Sequence, residues 1–156
     1  MDIHPAIEPL VKTKWSQGAP YNGMCPEDTL KEKSVTGCVA TAMAQIMNYH
    51  KYPADFPVIE GYTTRSENIE VGRLDGVRNF DWSALKNEYD NIDSDDAIAT
   101  LMRYCGQSVN MDYSSKGSGA SDFELEKAMT QTFKYKSSTL ITRTDYSAQE
   151  WDELIY

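Results

Sequence analysis

Apolar positions recur at three- and four-residue spacing between Val39 and Tyr49, through Ala42, Met43, Ile46 and Met47. That spacing predicts a helix over 38–51 with one buried stripe. Gly37 stands before it and Pro53 stops it. Alanines at 40, 42 and 44 would let other backbone approach closely, which suits the middle of a domain. Elsewhere the pattern is shorter. Ala6 to Lys14 reads as a helix after Pro5. Gln17 to Cys25 is loop, on Gly18, Pro20, Asn22 and Gly23, and polar Glu27 to Thr36 continues it. Val58–Thr64 and Ile69–Leu74 read as two short strands. Asp81 caps a helix over Trp82 to Tyr89. Asp93 or Ser94 caps a second over Asp95 to Cys105, with Gly106 as its stop. Ser114 to Ala120 is a loop, and Ser121 with Glu124 opens a helix that runs through Phe133. Ser137–Thr142 reads as a strand. Ser147 with Glu150 opens a last helix bearing Trp151, Leu154 and Ile155 on one side. An apolar face with no later strand to pack on is expected to belong to a fold that continues beyond Tyr156.

The composition is that of one globular domain: 156 residues, 40% apolar and 25% charged. No internal repeat or low-complexity segment interrupts it. The net charge of −9 comes from scattered acidic residues. A nucleic-acid partner would need a basic face, and none is seen. No apolar run reaches the length of a membrane span. The opening MDIHPAIEPL lacks a basic region followed by an apolar block, so it is not read as a signal peptide.

Three cysteines, Cys25, Cys38 and Cys105, leave at least one unpaired. None sits in a CxxC pair, and the histidines are His4 and His50 alone, so no metal site is expected. A Cys25–Cys105 disulfide stays open for a secreted protein, with nothing local in its favour. Cys38 is different. It opens the predicted central helix, where unpaired N–H groups and the helix dipole favour negative charge. A thiolate there is stabilised, and the thiolate is the nucleophile. Gly37 beside it would let a substrate backbone come close. On this local pattern alone a buried core cysteine weighs slightly more, because free cysteine is among the most buried residue types.

The wider pattern shifts that balance. KWSQGAPYN at 14–22, TGCVATAMAQIMNYHKYP at 36–53, RNFDW at 78–82, SVNMDYSS at 108–115 and DYSAQEWDELI at 145–155 follow in order. Together they resemble the streptopain family of papain-like bacterial cysteine peptidases. The second segment is highly specific, and the weakest stretches are 24–35 and 54–77. The resemblance implies an α+β, papain-like fold, with this chain mainly the helical lobe around a central helix led by the nucleophile. The sheet lobe would be largely missing, so residues 1–156 would be the N-terminal portion of one catalytic domain. Cys38 falls on the family's nucleophile and Gln17 on its oxyanion glutamine. The chemistry agrees, since a tetrahedral oxyanion needs donors already aimed at it, such as a side-chain amide and the Cys38 N–H.

A thiol peptidase also needs a base. His50 lies twelve residues along the same helix, roughly 18 Å away at about 1.5 Å per residue. His4 matches no family motif. The resemblance places the catalytic histidine in a later, glycine-rich segment, so this chain alone is expected to be inactive. A second chain or a C-terminal segment would supply it. The rival expectations are an early-ending chain and a non-catalytic peptide-binding module. Acyl transfer, a further rival, would need an amine acceptor site that the sequence does not offer. The resemblance also implies a substrate cleft near 108–121, with Gly37, Tyr113, Ser114, Ser115 and Ser118 as subsite candidates and Met111 as a weaker one. It implies protein or peptide substrates, an inhibitory pro-segment, no cofactor, and a secreted or cell-surface location.

Overall fold

The protein, seen in a computed structural model, is described over residues 4–156. The central helix forms as the pattern predicts: α1 spans Cys38–His50 and ends on Lys51 in the left-handed region, at φ 50°. Its buried face of Ala40, Met43, Ala44 and Met47 packs on α2, Asp96–Ser108. That helix answers with Ile98, Leu101, Met102 and Cys105, all fully buried in the same core. Each large apolar side chain removed from water there contributes about 1.5–3 kcal/mol. The Cys105 thiol donates to the Met47 sulfur at 3.6 Å.

Two antiparallel strands, β1 (Tyr62–Thr63) and β2 (Glu70–Val71), pair with Tyr62 opposite Val71. They are the tip of the expected 58–64/69–74 hairpin. Its ladder continues only as the isolated bridges Ile59 to Leu74 and Phe56 to Val77. Gln107 of α2 holds this hairpin in place. Its amide nitrogen donates to the carbonyls of Ile59, Glu60 and Gly72, at 3.3, 3.0 and 2.8 Å. An aromatic cluster of Phe56, Phe80, Trp82, Tyr104 and Phe133 seals the far end of the core.

Four local expectations are corrected. Residues 6–14 form no helix. Ile7 and Leu10 are exposed, so an apolar helical face would have nothing to bury against. The segment lies across α1 instead, with Thr13 Oγ1 donating to Gln45 at 2.7 Å. The helix expected over 82–89 stops after one turn, Trp82–Ala84, although Asp81 caps it. The following peptide groups are taken by distant partners: Trp15 Nε1 donates to the Lys86 carbonyl and the Lys14 N–H to that of Asn87, both at 2.8 Å. Gly106 does not stop α2, which runs on to Ser108; its N-cap is Asp95, whose side chain accepts from the Ile98 N–H. Residues 137–142 find no partner strand and lead into a turn of 3₁₀ helix at Arg143–Asp145.

The C-terminal elements follow their caps. α3 spans Asp122–Lys127 from the Ser121 cap and passes into a wider π-type turn, Ala128–Thr132, before Phe133. α4 spans Ala148–Ile155 behind a full Ser147–Glu150 capping box. Among the described residues no helix is long and apolar enough to cross a membrane.

Candidate active site

Gly37 and Cys38 form the turn into α1. Gly37 has φ +86°, in the left-handed region that side chains rarely adopt. A Cβ there would also stand 2.6 Å from the Met111 sulfur and 3.1 Å from the Ser118 carbonyl oxygen. Thr36 and Thr41 bracket the turn. Their hydroxyls share a hydrogen bond of 2.8 Å, and Thr41 Oγ1 donates to the Gly37 carbonyl at 3.0 Å. Cys38 is then exposed at the first position of α1. No side chain caps that helix and no acidic residue stands in its first turn. The free N–H groups at such an end favour an anion, whether a thiolate or an oxyanion. None of the hydrogen bonds among the described residues engages the Cys38 thiol.

The other two thiols are internal. Cys25 and Cys105 are buried and free, and no disulfide joins them. Burial pushes the Cys25 thiol up to about 12, against the opposing pull of Arg103 and Lys33. Burial raises Cys105 as well.

Gln17 is brought to the nucleophile's own segment. Its carbonyl accepts from the Thr36 N–H at 3.1 Å, two residues before Cys38. Trp15 and Tyr21, both buried against Tyr89, anchor the loop on either side. The Gln17 side chain is half-buried, and its amide has no protein partner among the described residues.

The loop over 112–119 lies on the other flank. It is closed by a reciprocal pair, Asp112 N–H to Gly119 carbonyl at 2.9 Å and Gly119 N–H to Asp112 carbonyl at 3.2 Å. Ser114 and Ser115 are partly exposed there. Ser118 is turned inward: its hydroxyl donates to the Val35 carbonyl at 2.7 Å and accepts from the Ser114 N–H at 3.0 Å. Tyr113 is a correction. Its side chain is 1% exposed, lies against Gly106 and has the Arg103 guanidinium 5.8 Å from its ring, so it lines no surface. Met111, fully buried behind Gly37, is corrected in the same way. A groove does run beside this loop, between Tyr62, Arg65, Asn110, Asp112 and Ser121, but neither Cys38 nor Gln17 lines it.

Neither histidine stands by the thiol. His50 closes α1 and meets the rings of Tyr49 and Tyr135 edge-on, at 5.0 and 6.0 Å. His4 stacks on Tyr156 at 3.8 Å. Among the described residues no three His, Cys, Asp or Glu side chains converge as metal ligands would.

Residues 15–156 match the family model described as Peptidase C10 family. The chain belongs to the peptidase C10 family. It is 31% identical to streptopain of Streptococcus pyogenes, over 97% of this chain and 44% of that protein. It is also 31% identical to the thiol protease/hemagglutinin PrtT of Porphyromonas gingivalis, over 99% of this chain and 19% of that protein. The chain thus spans less than half the length of these curated relatives. Among solved structures it resembles the active wild-type interpain A cysteine protease of Prevotella intermedia, with a TM-score of 0.79 and 32% identity, over 94% of this chain and 62% of that one. A prointerpain A fragment from the same organism matches equally well, at 33% identity. The fold is therefore α+β and papain-like, with the mainly helical lobe in view.

Proposed function

We propose that this C10 chain is the nucleophile-bearing part of a cysteine endopeptidase. Cys38 attacks the scissile carbonyl carbon, forming a C–S bond and moving the carbonyl electrons onto oxygen. The Gln17 amide and the Cys38 N–H donate to that oxyanion. A histidine from a segment or chain outside these 156 residues takes the thiol proton and gives it to the leaving amine. Water then hydrolyses the thioester, releasing the acid and restoring the thiol. Protein or peptide substrates, control by an inhibitory pro-segment, and a secreted or surface location are part of the same reading. The observation that carries it is an exposed cysteine at an uncapped helix start, with the Gln17 loop hydrogen-bonded to the residues just before it.

A second reading is a peptide-binding module without catalysis. The positions of His4 and His50, each against tyrosine rings, favour it for the chain by itself. Labelling of the native material with a peptidyl epoxide, followed by intact mass, separates the two. Rapid modification of Cys38 with a second polypeptide co-purifying supports the peptidase. A lone chain whose Cys38 reacts no faster than a simple thiol supports the module.

A further inference from the structure

Residues 34–37 lead into the nucleophile, and the peptide groups of Val35 and Thr36 bond to neighbours on two sides. The Thr36 N–H goes to Gln17. The Val35 N–H goes to the Ser114 carbonyl at 3.1 Å, and the Val35 carbonyl receives the Ser118 hydroxyl. The loop 112–119 is thereby laid along the approach to Cys38. Its outer end is held by something further away in sequence.

That holder is a short hairpin over 27–33, paired at Glu27 and Lys33 and turned at Lys31, φ 64°. Asp28 sits inside it, 5% exposed. One carboxylate oxygen serves the hairpin itself, accepting from the N–H groups of Leu30 and Glu32 at 2.8 and 3.1 Å. The other reaches across 87 residues to accept from the Ser115 N–H at 3.2 Å. The Ser115 hydroxyl donates to Glu32 at 3.2 Å, so it stands between two carboxylates. Two further carboxylates close a ring of three loops. Glu67 accepts from the N–H and hydroxyl of Thr29, at 3.2 and 3.1 Å. Asp112 accepts from the Ser66 N–H at 3.0 Å and from its hydroxyl at 2.5 Å. Of these groups only Asp28 is buried, joins its own turn, and holds the backbone of the 112–119 loop. A buried acceptor of this kind is not readily replaced by water.

We propose that Asp28 is a positioning residue, clamping loop 112–119 against the segment that leads into Cys38 and so setting where that loop meets an extended peptide. The proposal rests on the reading of Cys38 as a peptidase nucleophile. It differs from a general stabilising role because Asp28 bonds its own hairpin and the 112–119 loop and, among the described residues, makes no bond to the Cys38 turn.

The test uses the protein as purified, with any co-purifying chain retained. Alkylation of Cys38 by a peptidyl epoxide is followed to saturation, iodoacetamide alkylation is measured alongside, and amide exchange is mapped over 112–119. In Asp28→Ala the half-saturating probe concentration rises about tenfold. The limiting alkylation rate and the iodoacetamide rate stay within about twofold of wild type. Exchange quickens over 113–118, and Asp28→Asn, which keeps one acceptor oxygen, recovers part of each effect. Unchanged saturation and unchanged exchange in Asp28→Ala overturn the clamp. So does a parallel fall of every readout, including the iodoacetamide rate and the urea midpoint, in both variants. Absence of saturation in the wild-type protein sinks the peptidase reading instead, and loop exchange then decides the clamp by itself.

Discussion

Gly37 is glycine for two separate reasons, its backbone conformation and the Met111 side chain packed behind it. A non-glycine residue held at such a sparsely populated positive φ costs about 1–3 kcal/mol before any clash is counted. Gly37→Ala is expected to lower the urea unfolding midpoint by more than that amount implies, because Met111 must also move. Equal midpoints for the variant and wild type would remove this account of the turn. The thiols divide just as sharply. At pH 8 a thiol raised to about 12 is ionised to about one part in ten thousand, so Cys25 has almost no reactive form. Iodoacetamide at that pH is expected to modify Cys38 alone in native protein and all three cysteines in urea, as read by peptide mapping. Cys38 was legible through the ordered match of five segments to a family, since its immediate neighbours fit a buried core cysteine slightly better. Tyr113 was not, since its burial depends on the missing side chain of Gly106 on a different element.

Single tertiary bonds decide much at the level of elements. The 56–77 hairpin has only two ladder residues per strand, too few to stand alone in water. Gln107 compensates by reaching three of its carbonyls from α2. Gln107→Leu removes the donor that joins these three carbonyls, and among the described residues only that of Ile59 keeps a second partner, the Leu74 N–H at 2.9 Å. The substitution is expected to cost about 1–3 kcal/mol. Hydrogen exchange should show the loss concentrated in residues 56–77; loss spread evenly over α1 and α2 would contradict it. Helices with a buried apolar stripe, α1 and α2, were readable from pattern, although the cap of α2 is Asp95 rather than Asp93 or Ser94. The stretches 6–14 and 82–89 carried similar local signals and failed. Their peptide groups or apolar faces are assigned by partners that no local window contains.

Across the whole molecule, the three loops around 27–33, 64–69 and 112–119 are joined by carboxylates. Asp28 is held below the usual carboxylate range first by the Ser115 hydrogen bond, and Asp112 first by that of Ser66. Glu67 is lowered first by the Thr29 N–H. A carboxyl whose folded value is depressed stabilises the folded state fully above its unfolded value, about 4 for these side chains. That contribution is lost as pH falls through the lower, folded values. The urea midpoint is therefore expected to hold between pH 7 and 5 and to fall below about pH 4. Asp28→Asn should flatten part of that fall. A midpoint that rises on acidification would reverse the sign and count against the network.

The order of segments and the central helix were determined by sequence, because each depends on residues a few positions apart, while Gln17 and Cys38 stood out through the resemblance of whole segments to a family. Tertiary structure decided which serines of 114–118 reach the surface, that Tyr113 and Met111 do not, and that Asp28 holds a loop 87 residues away. Those outcomes turn on burial and on bonds across the fold. Neither has a period or a spacing in the chain, so neither can be read before the chain has folded.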